Sequence, residues 1–441
     1  MDGHKKICEK IFSLAGTLSA EAIITSSDSA LTRFAGNVIS QNVSNASTDI
    51  SVRILKDGRV TRFSLNQPSE HALKAAFAAA TAALKAQKKD AALEALPKAA
   101  PLKENKKLFF PGTAALSPSY RAARIAALAD KCKKAGIAAY GTFENGAGRT
   151  TVANNRGVYA SHKESYAIYS VTARDKDGFG WAEQSAFDAG SIDYALVDRT
   201  AMEKARLSKN PRSVPPGRYT VILEPSAAVS LLSYLGVYGF GGQFYNEGQS
   251  FVSGKLGKKV VSELITMRDD ARGPAAGMLF DYEGQPRQKV TLIEKGVAAG
   301  VVHDRHTAAK AGTKTTGHAL PLPNTFGPVP LNISVAGGGD SLESMIKSTR
   351  KGILITQFHY TNLLRPLTVE MTGMTRNGTF MIEDGRLAYG IKNLRFTESA
   401  VEALKRVLAV GDTPALYLEW GRFSAPALKL ADFNFSSATE F

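Results

Sequence analysis

Residues 219–270 read YTVILEPSAAVSLLSYLGVYGFGGQFYNEGQSFVSGKLGKKVVSELITMRDD, and residues 279–286, after a short loop, read LFDYEGQP. The β-prone run Tyr219 to Leu223 meets Glu224-Pro225. Proline suits the first turn of a helix, because the N–H it lacks would have no partner there. Val229, Leu232, Leu235 and Gly236 follow at helical spacing and predict a helix from Pro225. Glycines, Ser250, a basic GKLGKK turn and a strand come next. Two acidic clusters close the stretch, Asp269-Asp270 and Asp281 with Glu283.

The whole chain has 441 residues, enough for two domains or three. Its apolar fraction of 44% can fill real cores. No apolar run reaches the length of about 18 residues needed to span a bilayer. The first residues, MDGHKKICEKIFSLAG, read as an amphipathic helix without an apolar core or a small-residue cleavage site, which argues against a signal peptide. The only cysteines, Cys8 and Cys132, provide neither a disulfide framework nor a thiolate metal cluster. The expected compartment is a reducing cytoplasm. The formal charge of +15 is uneven: residues 51–150 carry 18 Lys or Arg against 7 Asp or Glu. Such a face attracts nucleic acid, acidic peptides or an acidic partner, or is simply a solvated helical surface.

Upstream of the opening stretch, residues 21–27 and 31–43 read as strands. Ile50, Val52 and Ile54 alternate with polar residues, and Asp57-Gly58 supplies a hairpin turn. A helix is expected to open at Pro68-Ser69, with Leu73, Ala76, Phe77, Ala80 and Leu84 on one face. Residues 85–112, rich in Lys, Ala and Pro, read as an exposed connector. Ser117-Pro118 starts another helix that Gly136 ends. Strands are expected over 138–143, 150–153, 158–162, 166–174 and 179–187, then a helix over 192–209. Strands grouped between helices predict an α+β domain on an antiparallel sheet over residues 1–210. Residues 211–217, PRSVPPG, form a proline-rich linker. Beyond it, residues 217–441 read as a β-rich, barrel-like domain with turns at Asn377-Gly378 and Asp384-Gly385 and one helix over 398–410.

Candidate chemistry is sparse. His303 and His306, with Asp304 and the later His318, are one possible metal group. The alternative is surface histidines beside a turn, favoured because no helix is evident to hold both rings on one face. Asp269, Asp270, Asp281 and Glu283 read as turn-forming and strand-pinning groups ahead of an acid–base or hard-cation cluster. Glu224 reads as a structural contact. Ser250 has no G-x-S-x-G elbow and no neighbouring histidine. GKLGKK lacks phosphate-loop spacing. The basic segment 85–107 has no aromatic residue for stacking a base, so nucleic acid is not the expected partner.

RFAGNVISQNV at 33–43, VRILKDGR at 52–59, FDYEGQP, LIEKGV at 292–297, TTGHALP at 315–321 and NGTFMIEDGRL at 377–387 stand in an order that resembles the TldD/PmbA family, the so-called modulators of DNA gyrase. In that family the TldD half carries a metalloprotease motif, HExxxH, on the helix that opens at Pro225. The matching residues here are Ser233-Tyr234-Leu235-Gly236-Val237-Tyr238. Ser233, Tyr234 and Tyr238 replace the two imidazoles and the carboxylate, and neutral hydroxyls are poor Zn²⁺ ligands. The cysteine that the resemblance implies near the C-terminus is absent too.

The resemblance therefore implies the PmbA/TldE type. Such a chain has no catalytic residue, metal or cofactor of its own and pairs with a Zn-bearing TldD-type subunit, or with itself, in a protease that processes small or unfolded peptides. Whether the chain is itself an enzyme stays open. The other readings are a stand-alone peptidase with a non-standard site and a basic module that binds nucleic acid or protein.

Overall fold

Long strands build the N-terminal half, and where helices cover them, as over residues 50–54 and 167–173, every second side chain is buried. A computed structural model describes residues 3–66, 69–91, 93–101, 104–418 and 420–439. Pro68, expected at a helix start, and Glu419, within the expected β-rich domain, lie outside the described residues. The first half runs α1 (Gly3–Ala15), β1 (Ser19–Ala35), β2 (Val38–Lys56), β3 (Arg59–Leu65), α2 (Glu70–Ala86), α3 (Pro111–Ala114), α4 (Pro118–Ala135), β4 (Ala138–Asn154), β5 (Tyr159–Asp175), β6 (Gly178–Ala186) and α5 (Tyr194–Leu207). Its six strands form one antiparallel sheet in the order β3-β2-β1-β4-β5-β6.

Two helix pairs cover this sheet. Cys8 and Ile11 of α1 and Leu73 and Phe77 of α2 pack on Ile50, Val52 and Ile54. Ile125 and Leu128 of α4 and Val197 and Ala201 of α5 pack on Phe143, Tyr169 and Val171. Local signals hold here: Ser117 Oγ accepts from Tyr120 N at the start of α4, and Gly136 ends that helix at φ 68.

The second half continues β7 (Gly217–Leu223), α6 (Pro225–Phe240), α7 (Gly242–Asn246), β8 (Met267–Asp269), β9 (Val290–Glu294), β10 (Val297–Ala298), α8 (Arg305–Lys310), β11 (Asn332–Val335), α9 (Leu342–Lys347), β12 (Lys351–Arg365), β13 (Glu370–Glu383), β14 (Arg386–Gly390), β15 (Leu394–Ser399), α10 (Ala400–Lys405), β16 (Val407–Val410), β17 (Ala415–Leu418), β18 (Arg422–Ala425) and β19 (Leu428–Ala438). Strand pairing closes on itself through β12, β7, β19, β15, β13 and back to β12. The fold is thus α+β, with an antiparallel N-terminal sheet and a barrel-like C-terminal part. A second sheet, β10-β9-β8-β11-β18-β17, lies against it. Helix α6 shares one apolar core with both, from Val221 and Ile353 on the barrel to Met267 and Ile333 on the second sheet. Among the described residues, no helix is long and apolar enough to cross a membrane.

Several expectations need correction. Residues 21–27 and 31–35 belong to one strand. The break comes at Gly36-Asn37, both left-handed at φ 61 and 67, as a tight hairpin requires. Residues 138–143 and 150–153 likewise join in β4. Asn377-Gly378 is not a turn. It is a bulge inside β13, held because β12 pairs on both sides of it, Ile355↔Thr379 and Gln357↔Arg376. The helix expected over 398–410 stops at Lys405, and Val407–Val410 pairs with β19 instead. The connector is also less exposed than its composition suggests. Leu96 and Leu108 are buried, and the Leu96 and Pro97 carbonyls accept from Arg156 and Asn154.

Candidate functional site

Helix α6 presents two unlike faces. On its buried face glycine admits neighbours that no side chain would: a Cβ on Gly236 would lie 2.3 Å from Ile333 Cδ1, and one on Gly239 2.2 Å from the Phe251 ring. On the other face Ser226, Ser230, Tyr234 and Tyr238 recur every fourth residue and so align along the helix. That stripe, with Ser233 beside it, lines a cleft of about 550 Å³. Tyr282, Leu320, Pro321, Tyr417 and Trp420 line it as well.

The stripe is ordered by its own contacts. Ser230 Oγ donates to Ser226 O at 3.2 Å and Ser233 Oγ to Ser230 O at 3.0 Å. Tyr234 OH donates to Thr361 O at 2.7 Å. The Tyr234 and Tyr238 rings stack with centroids 6.3 Å apart. Tyr238 also meets Phe244 and Phe326, giving the cleft an aromatic corner. Burial raises the pKa of the Tyr238 phenol, so it stays neutral.

Buried charges position the other wall. Asp269 and His318 are fully buried and joined Oδ1 to Nε2 at 3.0 Å. The second oxygen of Asp269 accepts from Asn332 N at 2.8 Å. Burial opposes ionisation of Asp269, but His318, Arg287 and the Asn332 N–H together outweigh it and hold the carboxyl below its ordinary range. Asp281 accepts from the N–H groups of Glu283, Gln285 and Ala319. Burial nonetheless pushes its pKa up. Both carboxylates therefore pin the segment that continues into Leu320 and Pro321. Burial, reinforced by Asp281, pushes the neighbouring Glu283 up to about 8. Asp270 turns the chain by accepting from Arg272 N.

The remaining candidates do not converge. His303 is buried, with Nδ1 3.2 Å from Thr307 Oγ1, whereas His306 is exposed on α8. Asp304 caps α8 through Thr307 N. His318 is committed to Asp269. Ser250 donates to Gly239 O at 2.6 Å with no histidine in contact. Glu224 pairs with Lys204 of α5 and so ties α6 to the N-terminal half. A second tie joins Arg422 of β18 to Glu164 of β5. Burial would raise Glu164, yet Arg422 and His162 hold it at about 2.

Two family models match the chain: the PmbA/TldA metallopeptidase C-terminal domain over residues 216–437, and domain 1 of the same metallopeptidases over residues 20–84. The chain belongs to the PmbA/TldD family. Among relatives of this PmbA/TldD chain, the metalloprotease TldD homolog of Buchnera aphidicola subsp. Acyrthosiphon pisum is 28% identical over 223 residues, covering 48% of this chain and 45% of that one. Metalloprotease PmbA of Escherichia coli O157:H7 is 24% identical over 250 residues, covering 55% and 52%. The chain spans about half the length of the curated relatives it matches. The crystal structure of TldE from Thermococcus kodakarensis superposes with a TM-score of 0.87 at 20% identity, covering 98% of this chain and 99% of that one. At that identity the likeness shows the fold.

The family name implies a metal, and the donor set of this cleft does not fit one. Its described lining residues include no His, Cys, Asp or Glu. The hydroxyls of Ser233 and Tyr234 are already spent on backbone carbonyls. Among the described residues, no group of three or more such side chains could hold an ion. Ser233, Tyr234 and Tyr238, which the family resemblance had singled out as the positions matching HExxxH, line this cleft. Sequence reasoning missed Ser226 and Ser230, whose four-residue spacing was readable, and Tyr282 and Tyr417, which distant elements deliver.

Proposed function

We propose that this chain is the subunit of a TldD/TldE-type peptidase that carries no catalytic metal of its own. Residues 1–210 and 217–441 would act as its two domains. The observation that carries this reading is the placement of Ser233, Tyr234 and Tyr238 on the cleft-facing side of α6, where they offer hydroxyls in place of metal ligands. The cleft then serves as a wall. Its serine stripe offers weak, sequence-tolerant hydrogen bonds, and the corner of Tyr238, Phe244 and Phe326 receives an apolar side chain of an extended peptide. The hydrolytic centre belongs to a Zn-bearing TldD-type partner, and small or unfolded peptides are the substrate class.

The test is co-expression with a subunit that carries HExxxH. The two chains should co-purify, and peptide cleavage should need both and vanish when the partner's motif is mutated. Cleavage by this chain alone, or one equivalent of tightly held transition metal in it, would overturn the reading.

A further inference from the structure

A second cavity, of about 670 Å³, opens between the two halves of the chain and is separate from the α6 cleft. It exists because β13 changes partners. Up to Met374 the strand pairs with β15, and from Phe380 onward with β14. The residues between pair with neither strand, although Thr379 O still accepts from Ile391 N and Thr375 Oγ1 from Leu394 N. The bulge at Asn377 and Gly378, with φ values of 53 and 129, falls in this gap. The opposite wall comes from the β5–β6 turn with Arg174, Asp177 and Phe179, from Ser208 and Asn210, and from Pro211, the first residue of the linker.

Arg174, Arg376 and Lys392 line this space, and Asp177 is the one carboxylate among its described lining residues. Asp177 Oδ1 already accepts from Asn210 N at 3.1 Å. The formal balance is three positive charges against one negative, which suits a dianion. Thr379 also lines the cavity. Phe179, 40% exposed, adds an apolar surface.

We propose that this cavity binds a phosphate dianion, free or as the monoester of a small molecule. Guanidinium forks match phosphate oxygens in geometry, and a phosphate monoester carries nearly two negative charges at neutral pH. The volume lies within the range of about 300–1,000 Å³ usual for small-molecule sites. A ligand here would touch the β5–β6 turn, the linker and β13 together, and so would brace the two halves against each other.

Calorimetric titration of the full chain in phosphate-free buffer tests this, with inorganic phosphate, adenosine monophosphate and unphosphorylated adenosine as probes. At least one phosphate-bearing probe should bind with a Kd below about 1 mM, and adenosine should not. Tighter binding of the nucleotide than of inorganic phosphate assigns the site to a monoester, and equal binding assigns it to free phosphate. The Arg376→Ala/Lys392→Ala variant should lose about tenfold or more in affinity. Arg386→Ala, an exposed change outside the cavity, should leave affinity unaltered. Thermal unfolding of each variant without ligand checks that the fold survives. The proposal is overturned if no phosphate-bearing probe binds, if adenosine binds as well, or if the double variant binds like the parent.

Discussion

The two walls of the α6 cleft are held by different forces. Helix α6 rests on apolar packing, with Gly236 and Gly239 letting Ile333 and Phe251 approach its axis. The facing wall rests on buried charge, with Asp269 on His318 and Asp281 on three backbone N–H groups. Packing is indifferent to pH and fails when volume changes. A buried ion pair fails when one partner is removed or changes protonation. The helix wall should therefore report on sterics and the opposite wall on charge, although both frame one space.

The largest effect should come from breaking the charged wall. Asp269→Ala leaves His318 buried beside a void and deprives Asn332 N of its acceptor. Removing one partner of such a pair costs about 3–5 kcal/mol. Denaturant titration checks it, and a loss below about 1 kcal/mol would mean that the Asp269–His318 contact does not hold this wall. The helix wall breaks less severely. Gly239→Val pushes into the Phe251 ring, which already meets Phe240 edge-on at 5.6 Å. The expected cost is about 1–3 kcal/mol, the same at pH 5 and pH 8. A strongly pH-dependent cost would show that the two walls are not independent.

How far the sequence could be read follows from the range of each force. Hairpins closed by local chemistry, such as Asp57-Gly58, were legible, and so were the cap at Ser117 and the stop at Gly136. Where a distant strand decides, local signals mislead. Asn377-Gly378 has turn chemistry but lies inside β13, and Val407–Val410 continues a helical pattern but pairs with Leu428–Leu430. The connector shows the same limit, since Leu96 is buried and its carbonyl accepts from Arg156, 60 residues further on in the β4–β5 turn. At the cleft, the α6 stripe was readable because helix periodicity is local. Tyr282, Tyr417, Phe326 and Thr361 come from separate elements, and no spacing rule joins them. The order of short phrases nonetheless identified the family, because it samples the whole chain.

Glu283 gives the next test, through pH. Its carboxyl rises from an ordinary value of 4.5 to about 8, because burial and Asp281 disfavour the charged form. The unfolded chain releases this proton first. Stability from the protonated group is therefore full below about 4.5 and is lost as pH rises through about 8. Glu283→Gln keeps an acceptor for Arg305 N and removes the titration. The parent should lose stability on the order of 2 kcal/mol more than the variant between pH 5 and pH 8. Parallel melting-temperature profiles for the two proteins would show that Glu283 ionises normally and that the charged wall draws its pH response from elsewhere.

The smallest effect should come from the polar face of α6. Tyr234→Phe keeps the ring and its stack on Tyr238 but removes the hydrogen bond to Thr361 O. A typical net contribution of about 0.5–1.5 kcal/mol is expected to be lost, at every pH between 5 and 8. The bond reaches across to β12, so its loss should also loosen Thr361 against the helix. Amide exchange along β12 should rise near Thr361 while that of the buried face of α6, around Leu232 and Leu235, stays unchanged. Faster exchange at Leu235 would mean that the hydroxyl stripe helps to hold the helix in place, and the division between a packed face and a polar lining would have to be abandoned.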